Sequence, residues 1–151
     1  FMTTVKLTKS QEDDGTRKEC VLRFFAFLHR YKDFVHDVEP FLTSYMKDAS
    51  KSFQYTAGRK IFEQTFSALS SVLTVGLRRR SVKRRITPIN LFEGVSVGAA
   101  LAIRKKGRIS SGDPYKWLES DELKVFTGQA TNSPKAVCGR IEYCRDRFLG
   151  K

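Results

Sequence analysis

The sequence predicts an all-α fold, a single bundle of five to seven helices, and three observations predict it. Apolar residues recur at three- and four-residue steps through long stretches free of Pro. Helix-start signals stand ahead of those stretches, and no run alternates apolar and polar residues as a half-buried strand would. At 151 residues the chain has the length of one domain and can bury roughly two-thirds of its unfolded surface. More than half the residues are therefore expected to be helical, with Phe24, Phe25, Phe62, Phe66, Leu69, Phe92 and Ile141 in the core.

The elements follow in order. Thr16 with Glu19 fits a capping box, so residues 1–16 read as a lead-in and the domain as residues 17–148. The stretch "RKECVLRFFAFLHRYKDF" carries Val21, Leu22, Phe24, Phe25, Leu28 and Tyr31 on more than one face, which predicts a helix buried on two sides. Pro40 suits the first position of a second helix, with Phe41, Leu42, Tyr45, Met46 and Ala49 as its stripe. A third follows Gly58 and ends at Gly76. Asn90 with Glu93 suggests the cap of a fourth, "LFEGVSVGAALAIRKK", whose Gly94, Gly98 and Ala102 recur every four positions and let another backbone come close. A shorter segment from Asp113 breaks near Ser120 and stops at Gly128, and Ser133–Pro134 open a last helix with Val137, Ile141, Cys144 and Phe148 inward.

The charge is concentrated. Residues 59–112 hold twelve basic side chains against Glu63 and Glu93, a net of +10 within a total of +12. Such a block on a globular domain is the footprint of a polyanion binder, since each neutralised phosphate releases condensed counterions. Two groups stand out: Arg78, Arg79, Arg80, Lys83, Arg84 and Arg85 after the third helix, and Arg104, Lys105, Lys106 and Arg108 at the end of the fourth. If the third and fourth helices are antiparallel neighbours, the groups lie about 20 Å apart along a 1.5 Å rise. Neither group is interleaved with aromatics, which favours phosphate contact over base stacking. The first run lies outside the apolar stripes, so its removal should leave stability nearly unchanged. Thr131, Asn132 and Ser133, ahead of the last helix, form a possible phosphate-binding loop, or equally a simple cap.

Signs of catalysis are missing. His29 and His36 share a helical face with Glu39 but lack committed further ligands, so no metal site and no cofactor is expected. No Walker or dinucleotide loop is present. Cys20, Cys138 and Cys144 show no CxxC spacing and read as small buried thiols in a reducing compartment. No stretch has the length of a membrane span and the first residues lack the apolar core of a secretory signal, so the expected location is cytoplasmic.

Four segments, "RKECVLRFFAF", "FLTSYM", "INLFEGVSVGAALA" and "TGQATNSPKAVCGRIEY", in this order and spacing, resemble the helical C-terminal half of the GmrSD and SspE type of ParB-like, modification-dependent restriction and antiphage defence proteins. The similarity runs from about Arg17 to Phe148. The family's Asp-Gly-Gln-Gln-Arg nucleotide motif and HNH nuclease do not occur here. The resemblance therefore implies a non-catalytic helical module of a bacterial defence protein. Its partners would be duplex DNA and a ParB-like N-terminal domain or a nuclease; the alternative is a protein-interaction scaffold without direct DNA contact.

Overall fold

The computed structural model describes residues 1–83, 85–110, 112–128 and 132–151. It is 68% helical, so more than half the chain is helical as expected, and the described residues contain no strand. The described residues form eight α-helices, α1 (Lys9–Asp13), α2 (Thr16–Arg30), α3 (Val38–Ser52), α4 (Tyr55–Val72), α5 (Ile89–Lys106), α6 (Tyr115–Leu118), α7 (Asp121–Thr127) and α8 (Pro134–Phe148), with one 3-10 turn at Tyr31–Asp33. The count exceeds the expected five to seven because the first sixteen residues contribute α1 and the segment after Asp113 divides at Ser120. No helix among the described residues is long and apolar enough to cross a membrane.

Helix α5 is the axis. Every residue from Leu91 to Ala100 is buried, the signature of a helix packed on all sides. Helix α8 runs beside it. A Cβ added at Gly94 would stand 3.1 Å from the Arg140 carbonyl oxygen, and one at Gly98 would stand 2.7 Å from the Arg145 amide nitrogen and the Cys144 Cβ. The small-residue stripe thus receives the α8 backbone, and the order of these approaches makes the two helices run in the same direction. Helix α7 returns antiparallel along α8, with the Phe126 ring over Gly139 and Ser120 Oγ 2.8 Å from the Tyr143 hydroxyl.

On the other side Phe24, Phe62, Phe66 and Phe92 build an aromatic cluster, with ring centroids 4.6 Å apart for Phe62 and Phe66 and 6.2 Å for Phe66 and Phe92. Phe62 is only half-buried, and the other expected core residues are buried. The first residues belong to this core. Phe1 packs edge-on against Phe66 at 4.8 Å, Val5 is buried, the Leu77 amide donates to the Thr4 carbonyl, and Lys6 and Thr87 exchange hydrogen bonds.

Several starts differ from the sequence expectation. The capping box lies at Thr8 and Gln11; Thr16 is the first residue of α2, following Gly15 at φ 88°, and its amide donates to Asp14 Oδ1. The left-handed glycine reverses the chain between α1 and α2 and leaves Thr16 no room to cap. Glu19 instead pairs with Arg23 at 2.6 Å. Pro40 is the third residue of α3, where its missing N–H is still outside the helical ladder. Gly58 lies inside α4, its open side filled by the Phe53 ring, and α4 ends at Val72, short of Gly76. Pro88 precedes α5; Asn90 donates its amide to the Thr127 carbonyl at 2.7 Å, closing the end of α7. At the other end of the chain, Ser133 caps α8 as the sequence indicates, and Ser120, where the sequence places a break, caps α7.

Glu93 is therefore no cap. It lies at 1% exposure in the middle of the bundle, and its carboxylate receives Arg23 at 2.6 Å on one oxygen and the fully buried Arg140 on the other. Burial works against the Arg23 charge, but Glu93 and Glu19 together outweigh it and raise its pKa. Removing the acid takes a buried carboxylate from Arg140 and one of two carboxylates from Arg23, a loss of about 3–5 kcal/mol. Glu93→Gln should lower the urea-unfolding free energy by that amount, whereas Glu63→Gln, which breaks the exposed pair with Arg59, should leave the midpoint where it is.

Candidate nucleic-acid interface

The first basic group occupies the connection between α4 and α5. Its start is pinned by Tyr115 of α6, whose hydroxyl accepts from the Val75 amide at 3.0 Å and donates to the Gly76 carbonyl at 2.9 Å. Gly76 takes φ 84°, and Leu77 enters the core. Arg78 Nε donates to the Val75 carbonyl at 3.3 Å. Arg79 turns inward: Nε donates to the Leu118 carbonyl at 2.8 Å and a terminal nitrogen donates to Thr127 Oγ1 at 2.5 Å. It thus satisfies an orphan carbonyl at the end of α6 while bracing the end of α7. Burial lowers its pKa, partly offset by Glu119. The Arg80 guanidinium covers the Tyr115 ring at 3.9 Å and stands 3.6 Å from Asp113. Glu119 accepts from the amide and hydroxyl of Ser81. Lys83 and Arg85 are exposed, with no carboxylate within 4.0 Å among the described residues; Arg84 lies outside those residues.

The expectation that the run can be removed with stability nearly unchanged does not suit Arg79, which is bonded to the ends of α6 and α7. An arginine and a lysine are both polar in a sequence pattern, and only the carbonyls of another element reveal which one is used internally.

The second group disperses. Successive residues of α5 step by about 100° around the helix, so Arg104 faces α2 and α4, while Lys106 Nζ donates to the Leu149 carbonyl at 3.0 Å beyond α8. Lys105 and Arg108 are exposed, Arg108 just past Gly107 at φ 73°. Both ends of α4 line clefts with the C-terminal part of α5: Ala57, Gly58 and Ile61 with Arg104, and Ser71 and Val72 with Ile103 and Arg108. Arg79, in contrast, stands near the start of α5, since it and Asn90 both bond to Thr127.

Of the remaining candidates, Ser133 Oγ accepts from the Ala136 amide at 3.2 Å and serves as a cap; Asn132 precedes it, and Thr131 lies outside the described residues. His36 is exposed, and no group of three or more His, Cys, Asp or Glu suited to a metal occurs among the described residues. The three cysteines are unpaired. Cys144 and Cys20 are buried and Cys138 is partly so; burial raises all three thiol pKa values, that of Cys20 to about 11. None is poised as a nucleophile.

Sequence reasoning missed a second feature. His29 and Arg30 of α2, Tyr45 and Asp48 of α3, Lys60 and Gln64 of α4 and Arg104 of α5 surround a cleft of about 540 Å³. His29 Nδ1 shares a 2.9 Å hydrogen bond with the Tyr45 hydroxyl, and Arg30 pairs with Asp48 at 2.8 Å. These residues come from four helices, and nothing in their sequence spacing brings them together.

No family model, curated protein or solved structure matches this chain. The functional reading accordingly rests on its charge distribution and side-chain geometry.

Two outcomes follow from this geometry. Arg79→Ala should lower stability by about 1.5–3 kcal/mol, the range for hydrogen bonds to a charged group, while Arg85→Ala should not, as measured by urea unfolding. The second concerns His29, whose pKa is lowered by burial, then by Arg104 and Arg30. The unfolded chain takes up a proton near the ordinary value of about 6.5, before the folded one does. This contribution to stability is present above that pH and is lost as pH falls through the folded value. The melting temperature should drop on acidification from neutral pH, and less steeply in His29→Gln.

Proposed function

We propose that the chain is a non-catalytic helical module that holds the phosphates of duplex DNA without reading sequence, as part of a bacterial restriction or antiphage defence protein of the GmrSD and SspE type. One observation carries this reading. Arg78, Lys83, Arg85, Arg104, Lys105, Lys106 and Arg108 fall within a 31-residue span, and none has a carboxylate within 4.0 Å among the described residues. Cations without a carboxylate partner are available to a polyanion. Arg79 is committed to the fold and leaves the set; Arg80, stacked on Tyr115, is only partly available.

The alternative, a scaffold docking a ParB-like nucleotide-hydrolysing half, has its own support. Leu22, Phe25, Phe53, Tyr55 and Phe62 line an apolar groove of about 450 Å³ between α2, α3 and α4, and Tyr55 is 77% exposed. Such a groove suits a protein segment and not a phosphate rail.

Salt dependence separates the two. Non-specific duplex binding is expected at roughly 10⁻⁴ to 10⁻⁶ M near physiological salt, weakening linearly in log–log form with a slope of about −0.9 per contact. Changing Arg78, Lys83 and Arg85 together to Ala should flatten that slope by up to about 2.7 without altering helical content. An unchanged slope and affinity would shift the assignment to the scaffold.

A further inference from the structure

The cleft bounded by α2, α3, α4 and α5 has a composition of which the duplex reading uses Arg104 alone. Arg30, Lys60 and Arg104 bring three positive charges to it against the single carboxylate of Asp48. Asp48 is spent on Arg30 at 2.8 Å, so Lys60 and Arg104 have no carboxylate within 4.0 Å among the described residues. The walls partly desolvate the Arg104 guanidinium, which strengthens any charge-assisted hydrogen bond it makes. His29 adds a ring nitrogen, since only Nδ1 is engaged, by Tyr45. Beneath this polar rim Ala49, Phe53 and Ile61 supply an apolar floor. The volume, about 540 Å³, lies within the range of small-molecule sites, about 300–1,000 Å³.

We propose that this cleft binds a phosphomonoester with an apolar or aromatic body, its phosphate between Arg104, Lys60 and His29 and its body against Phe53 and Ile61. The net of two positive charges matches a monoester, which carries about −1.5 to −2 at neutral pH, better than the single charge of each phosphodiester along a duplex. Arg104 is shared with the proposed duplex surface, whereas Lys60, His29 and the apolar residues are not, so phenyl phosphate binding and the salt slope of the Arg78, Lys83 and Arg85 variant report on the two readings separately.

The test is a titration of the full chain with phenyl phosphate, followed by calorimetry and by NMR of the His29 imidazole, beside inorganic phosphate and a matched pair of duplexes ending in 5′-phosphate or 5′-hydroxyl. Phenyl phosphate should bind saturably and more tightly than inorganic phosphate. Arg104→Gln should weaken it by about tenfold or more, and Asp48→Asn, which releases Arg30, should tighten it. Saturation should also raise the His29 pKa. The charged or titratable groups around that ring are Arg30 on α2, Tyr45 and Asp48 on α3, Lys60 on α4 and Arg104 on α5, and an incoming anion offsets the cations that depress it. A 5′-phosphate duplex that outbinds its 5′-hydroxyl twin only while Arg104 is present would support the site and name a DNA end as the source; equal binding of the twins with saturable phenyl phosphate would support it and name a small molecule. Absence of saturation, equal affinity for phenyl and inorganic phosphate, or phenyl phosphate binding indifferent to Arg104→Gln would overturn it.

Discussion

A single carboxylate organises this bundle. Helix α5 is enclosed on all sides, an environment in which an ionised side chain is costly, yet Glu93 sits in its second turn. It is tolerable there because Arg23 from α2 and Arg140 from α8 reach it from opposite sides. The three charges define a rotation of α5 about its axis and a height for each neighbour, since a helix displaced by one turn, about 5.4 Å, would leave its guanidinium in an apolar wall. Gly94 and Gly98 make the arrangement possible by letting the α8 backbone approach closely enough for Arg140 to reach inward. Parallel packing of α5 and α8 then requires a long return path, and α6 and α7 are what fills it.

That return path explains why the basic run is not simply a loop. The connection from α4 to α5 and the one from α5 to α8 meet at Tyr115, Leu118 and Thr127, where backbone groups at the ends of two short helices need partners. Arg79 supplies them. One residue of a dense cationic stretch is thereby converted into a brace, and its neighbours Lys83 and Arg85 are held outward by the same anchoring.

The helices were legible in the sequence because their stripes are long and periodic: the segments carrying Phe24, Leu69, Leu91 to Ala102 and Val137 to Cys144 all form where expected, the break comes at Ser120, and Ser133 caps α8. The starts of α2 and α5 were misread for one reason. Thr16, Asn90 and Glu93 are good capping residues in isolation, but Gly15 had already turned the chain, Asn90 was needed at the end of α7, and Glu93 at the centre of the core. At the candidate site, the density of charge was visible and its geometry was not. Sequence shows six cations in eight positions; it does not show that Arg79 bonds to the ends of α6 and α7, or that His29, Asp48, Lys60 and Arg104 line one cleft, because those proximities arise only from how the helices cross.

The graded burial of the cysteines turns the molecule into its own reporter of motion. Cys138 lies near the surface of α8, Cys20 is covered by the N-terminal segment and α5, and Cys144 faces the tightest contact between α5 and α8. A thiol reagent would reach the first through side-chain fluctuation, the second through detachment of the leading residues, and the third only when the two central helices part. Three labelling rates on one unmodified chain would therefore resolve local, partial and global opening as separate steps.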